Sequence, residues 1–100
     1  MKSIGVSRGN HLMRWTVEIK PTAEKYYLKL DKRTRMRVRK ALENMEASDE
    51  PGTSPNVRAL TGKLLGDYRL RVGKWRILFQ LDRRRRMIYV YAILPRGDAY

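Results

Sequence analysis

The sequence contains no cysteine, which excludes disulfides and thiolate metal ligands and suits a reducing cytoplasm, the expected location. Histidine occurs once, as His11. It falls in a stretch without periodicity and reads as incidental, so neither a Ser-His-Asp nor a Cys-His nucleophile system is available. No apolar run approaches the roughly 20 residues that a membrane-spanning helix needs, and the first residues lack the apolar block of a signal peptide. No segment sets a basic face against a broad Trp/Phe/Leu face, so a membrane is not an expected partner. A phosphate-cradling glycine loop and a His/carboxylate cluster are also missing, and no cofactor or metal is expected.

Acidic residues are few. Lys and Arg number 23 against 10 Asp and Glu, a formal net charge of +13 on 100 residues. So large an excess on so small a chain favours a polyanionic partner. The carboxylates that do occur lie mainly at Glu43, Glu46, Asp49 and Glu50, at a helix end and in a loop, where they read as local charge balance. The hydrophobic fraction of 42% suits a single small core.

Met1 to Leu12 reads as a flexible leader, rich in Ser and Gly, ahead of one domain from Met13 to Tyr100. Trp15, Val17 and Ile19 alternate with Arg14, Thr16 and Glu18, the period of a half-buried strand. Pro21 suits the first turn of a helix, and Ala23, Tyr26, Tyr27 and Leu30 continue at helical spacing. Asp31 is placed to cap a second helix, from about Lys32 to Ala47, with Val38, Ala41, Leu42 and Met45 as its apolar stripe. Ser48 to Pro55 holds two prolines and a glycine and reads as a loop, and Arg58 to Leu64 as a short connector.

The stretch from Asp67 to Gln80 alternates, turns at Gly73-Lys74 and alternates again, which predicts a β-hairpin. A two-residue turn sets Val72 opposite Trp75, Arg71 opposite Arg76, Leu70 opposite Ile77 and Arg69 opposite Leu78. Cross-strand partners project to one side. Tyr68, Leu70, Ile77 and Phe79 then form an apolar face, and Arg69, Arg71 and Arg76 share the other. Guanidiniums that close together repel one another and call for an anion, of which phosphate is the natural candidate. A second turn from Asp82 to Arg86 leads into a last strand from Met87 to Ile93. The fold class is α+β: an N-terminal strand, a two-helix antiparallel hairpin, then a three-stranded antiparallel meander. The helices pack on one sheet face and leave the arginine face open.

The chemistry available is that of arginine and tyrosine. Arginine binds phosphate bidentately and stabilises the charge of a pentacoordinate phosphorus. A tyrosine among arginines has a lowered pKa and can take the proton of an RNA 2′-hydroxyl that attacks its own phosphate. Tyr100 and Arg96 lie just past the last strand, where a tail can fold onto that face, although an exposed arginine face more often serves plain nucleic-acid binding than catalysis.

From Met13 to Tyr100 the chain resembles the RelE/ParE superfamily of toxin–antitoxin toxins. The resemblance rests on the element order, on Leu60-Thr61-Gly62-Lys63-Leu64, on Gly66-Asp67-Tyr68-Arg69-Leu70-Arg71 through Trp75-Arg76 to Leu81-Asp82, on Ile88-Tyr89-Val90-Tyr91-Ala92-Ile93, and on the tail Arg96-Gly97-Asp98-Ala99-Tyr100. The RelE branch implies a ribosome-dependent endoribonuclease that cleaves mRNA. On that reading Arg69 and Arg71 bind the scissile phosphate, Arg76 stabilises the transition state or helps protonate the leaving oxygen, and Tyr100 is the base. Arg96, with Lys74, Lys63, Arg33 and Arg37, binds RNA. The implied partners are the ribosome, mRNA and a cognate acidic antitoxin that folds over the basic face. The sequence departs from many relatives at Leu94-Pro95-Arg96-Gly97, where they have glycine, histidine and paired basic residues. The alternatives are a ParE-like inhibitor of DNA gyrase and a non-toxic basic RNA- or ribosome-binding module.

Overall fold

The structure is a computed structural model and describes residues 14–96. The leader Met1 to Leu12, its His11, and the tail tyrosine Tyr100 therefore lie outside the described residues.

Alternation at the start of this span makes strand β1, Thr16–Ile19, with Val17 and Ile19 buried. Helix α1, Pro21–Lys29, begins on its proline and buries Ala23 and Tyr27, one turn apart. Its last carbonyls are capped from the next helix: Arg35 Nη1 donates to Leu30 O at 3.0 Å, a cation at the negative end of a helix. Helix α2, Lys32–Glu46, follows at once, because Asp31 accepts the Thr34 N–H at 3.2 Å and so caps it. That hydrogen bond holds the Asp31 carboxyl below its ordinary value. On α2, Val38, Leu42 and Met45 are buried at helical spacing.

The strands β2 (Val57–Ala59), β3 (Tyr68–Val72), β4 (Trp75–Asp82) and β5 (Met87–Pro95) complete a 5-stranded sheet in the order β1-β5-β4-β3-β2. β1 runs parallel to β5 at one edge, and the other pairs are antiparallel. The hairpin register is the one the alternation predicts, from Val72 opposite Trp75 to Tyr68 opposite Phe79. β2 is a correction: the segment read as a connector pairs with β3, Val57 opposite Leu70 and Arg58 opposite Arg69. A three-residue strand is too short for alternation to announce it.

The helices and one sheet face enclose a core that includes Val17, Ile19, Leu42, Ile77, Phe79, Ile88, Val90 and Ile93. Burial of each such side chain contributes about 1.5–3 kcal/mol. A bulge in the β4–β5 ladder sets Phe79 opposite Val90 but Leu78 opposite Ala92. It lets Val90 and Ile93 both reach the core, which strict alternation forbids. The opposite sheet face is less open than expected: Leu78 on it is only 3% exposed.

Of the carboxylates read as charge balance, Asp49 pairs with Arg14, Glu43 with Arg39 and Glu50 with Arg83. Glu46 does not belong with them. It is 2% exposed, and its Oε2 accepts the Val17 N–H at 2.7 Å. A residue placed by α2 against the edge strand β1 is buried by a contact 29 positions away in sequence, which no local pattern reports.

Candidate functional site

The sheet face away from the helices is organised by the β3–β4 turn. Gly73 adopts φ 58° there, the left-handed conformation that glycine supplies at the first central position of a tight hairpin turn. The turn brings Arg71 opposite Arg76, and β2 brings Arg58 opposite Arg69. Alternation places all of these on one face, with opposite Cβ atoms about 4.5–5.5 Å apart. Arg58 was not among the residues expected there, since its strand was not recognised. The signal was present only in the pair Val57 and Ala59, one residue either side of it.

The arginines are not equivalent. Arg58 and Arg71 are exposed, whereas Arg69 and Arg76 are half-buried. Arg58, Arg69 and Arg71 line a small polar cleft of about 210 Å³ together with Asn56 and Val57. Asn56 holds Arg71 twice: its backbone carbonyl accepts the Arg71 N–H at 2.9 Å, and its Oδ1 accepts from Arg71 Nη2 at 3.2 Å. Asn56 has φ 66°, a conformation asparagine tolerates better than most side chains. Arg76 is turned to the hairpin end, where Nη1 donates to Gly73 O at 3.0 Å and to Trp75 O at 3.1 Å.

Other expected RNA-binding residues meet at the same turn. Arg37 reaches across from α2, so that a Cβ on Gly73 would lie 3.2 Å from its Nη1. Lys74 is exposed in the turn itself. The Arg96 N–H donates to Lys74 O at 2.6 Å. Pro95 closes β5 opposite Trp75, so the proline ends the strand without breaking its pairing, and the chain leaves the sheet beside the turn. Arg33 is exposed one helical turn before Arg37. Lys63 stands apart, in the cleft lined by Thr61, Gly62 and Leu64.

A carboxylate also enters this face beside the hairpin. Asp67 accepts from Gln80 Nε2 at 3.2 Å and from the Tyr91 hydroxyl at 2.6 Å, one bond to each oxygen. Burial, followed by the Asp67 hydrogen bond and charge, pushes the Tyr91 hydroxyl well above the ordinary tyrosine value. Both effects favour the protonated hydroxyl, which donates to Asp67. Among the described residues, no group of His, Cys, Asp or Glu side chains is placed to hold a metal ion. No helix among them is long and apolar enough to cross a membrane.

The family model described as the ParE toxin of type II toxin–antitoxin systems, parDE, matches residues 17–100. The chain belongs to the ParE toxin family. Solved structures place this toxin in the wider RelE/ParE superfamily. It is similar to the archaeal RelE of the Pyrococcus horikoshii OT3 RelE–RelB complex, with 26% identity over 87% of this chain and 100% of that one, and a TM-score of 0.72. The fold alone is shared with the YoeB/ParE toxin of Agrobacterium tumefaciens, at 13% identity, 79% and 95% coverage and TM-score 0.68. It is shared likewise with the isolated E. coli RelE toxin, at 19% identity, 83% and 85% coverage and TM-score 0.63. A comparison with curated protein sequences finds no match. The toxin is thus α+β with the RelE-like order of strand, helices and antiparallel strands.

Proposed function

We propose that this toxin is an endoribonuclease that cleaves mRNA on the ribosome, the RNA supplying its own 2′-hydroxyl as nucleophile. The observation that carries the reading is the arginine ladder: Arg58 opposite Arg69 and Arg71 opposite Arg76 on one sheet face. Phosphoryl transfer of this kind needs charge stabilisation at phosphorus, and positioned guanidiniums supply it without a metal. Arg69 and Arg71, with the newly found Arg58, bind the scissile phosphate in the cleft they line. Arg76 stabilises the transition state or helps protonate the leaving 5′-oxygen, after exchanging its turn carbonyls for the phosphate. Arg96 holds the RNA where the chain leaves the sheet, and Tyr100 takes the 2′-hydroxyl proton. The products are a 2′,3′-cyclic phosphate and a 5′-hydroxyl.

A cognate acidic antitoxin is the proposed protein partner. The net charge of +13 supports it, as does the similarity to a RelE solved in complex with RelB. Cleavage of a message on programmed ribosomes tests the activity: the wild-type toxin cuts, and Arg76→Ala and Tyr100→Phe cut far less. A wild-type protein that leaves the message whole rejects the reading.

The match to the ParE family model favours a second reading, inhibition of DNA gyrase by binding. It predicts lost supercoiling in a gyrase assay with ribosomal messages intact. Both readings put the toxin in the cytoplasm.

A further inference from the structure

α2 carries two adjacent stripes. Val38, Leu42 and Met45 are buried in the core. Arg37, Ala41 and Asn44, each one residue earlier, line a cleft of about 530 Å³ between the helix and the β3–β4 hairpin. Lys40 joins them from the helix, and Asn56 and Arg71 form the opposite wall, with Gly73 among the lining residues. Three of the lining residues are cationic (Arg37, Lys40 and Arg71), two carry side-chain amides, and none is acidic. The cleft shares both Asn56 and Arg71 with the arginine pocket on the outer sheet face. Asn56 fixes Arg71 on that boundary through the 3.2 Å side-chain bond.

Two basic clefts that share one anchored guanidinium suit successive anions on one chain. A charge cluster kept only for solubility has no need of a held arginine. We propose that the α2–hairpin cleft is a second phosphate subsite, which holds a backbone phosphate of the RNA strand next to the one in the Arg58–Arg69–Arg71 pocket. The inference rests on the ribonuclease reading. It adds that Arg37 and Lys40 grip the strand away from the scissile bond, and that Arg71 spans the two phosphates.

The test uses the full chain and 2′-O-methyl oligouridylates, which lack the attacking hydroxyl, in a fluorescence anisotropy titration at several salt concentrations. One probe is a dinucleotide with a single internal phosphate, and the other is a hexanucleotide. Arg37→Ala/Lys40→Ala is expected to weaken hexanucleotide binding by about tenfold or more. It should lower the salt slope by about 0.7 for one lost phosphate contact, with the dinucleotide unaffected. A control with the same charge loss, Lys25→Ala/Lys29→Ala on the exposed side of α1, should change hexanucleotide binding less than about twofold. Equal losses from the two double variants, or equal losses with the two probes, would mean bulk charge alone and overturn the subsite. If the cleft variant loses binding to a polyglutamate peptide but not to RNA, the cleft serves an acidic protein chain and the subsite is again overturned. A wild-type toxin that cleaves ribosomal messages while the cleft variant binds the hexanucleotide unchanged overturns the subsite only. A wild type that neither binds the hexanucleotide nor cuts messages overturns the ribonuclease reading with it.

Discussion

Glu46 Oε2 accepts the Val17 N–H at 2.7 Å, and the Glu46 backbone carbonyl accepts from Arg14 N at 2.8 Å and Trp15 N at 3.0 Å. The last residue of α2 is thus bound to the start of β1 by side chain and main chain together. Burial pushes the Glu46 carboxyl above its ordinary value of 4.5, against the opposing effect of the Val17 N–H. A carboxyl with a raised pKa in the folded state binds more protons folded than unfolded, so its contribution to stability falls as pH rises from the ordinary value through the raised one. Urea melts of wild type and Glu46→Gln across this range should show the difference: the glutamine variant, which keeps an acceptor for Val17, lacks this decline. Glu46→Ala removes the acceptor and should cost about 1–3 kcal/mol.

Arg69 and Arg76 are half-buried on the proposed catalytic face. Replacing either by alanine should lower message cleavage about a hundredfold or more, in a variant whose circular dichroism shows that it still folds. Arg76→Lys should not restore activity, because an ammonium cannot present two parallel N–H groups to a phosphate. Recovery of near wild-type cutting by Arg76→Lys would reduce Arg76 to a point charge.

Tyr91 donates to Asp67 at 2.6 Å, and its raised pKa keeps it protonated. Tyr91→Phe should therefore cost about 1 kcal/mol of stability and leave the pH profile of cleavage unchanged. The folded-state pKa lies above the unfolded one, so the hydroxyl's contribution persists below the ordinary tyrosine pKa of about 10 and is lost as pH rises beyond it. On the proposed reading, Tyr100→Phe should instead give a large loss of cleavage rate, read on programmed ribosomes. A pH profile altered by Tyr91→Phe would make it a participant in proton transfer.

Gly52 lies over the Tyr68 ring, which stacks on Phe79 with centroids 5.5 Å apart. A Cβ at Gly52 would lie 2.9 Å from Glu50 Oε2 and 3.0 Å from the ring. Glu50 is engaged with Arg83, which also donates to the Tyr68 hydroxyl at 3.0 Å. Gly52→Ala should cost about 1–3 kcal/mol by overpacking, read as a lower urea midpoint. Glu50→Ala breaks an ion pair that is more than a third exposed on both sides and should cost under about 1 kcal/mol. If the two variants cost the same, the Tyr68 contact is not what makes this position glycine.

Much of the hairpin could be read directly from the residues. Its register depends on a turn and on alternation within a dozen neighbouring positions, and both are local. The same holds for α2, whose cap is Asp31 and Thr34, and whose apolar stripe repeats at helical spacing. Expecting Arg69, Arg71 and Arg76 on one face required nothing beyond that register.

Other features depend on residues distant in the chain. Arg58 joined the arginine face only because β2 pairs with β3 across an intervening loop. The bulge at Leu78/Phe79 arises from matching two strands to one core. Glu46 looks like a surface charge until α2 is set against β1, and Asn56 looks like a loop residue until Arg71 is laid beside it. The sequence by itself determined the elements, the hairpin register, the basic excess and the superfamily resemblance, because periodicity, turn chemistry and charge are properties of neighbouring residues. Only the tertiary structure decided which cations share a cleft and which carboxylate is buried, because those depend on contacts whose partners are far apart in sequence.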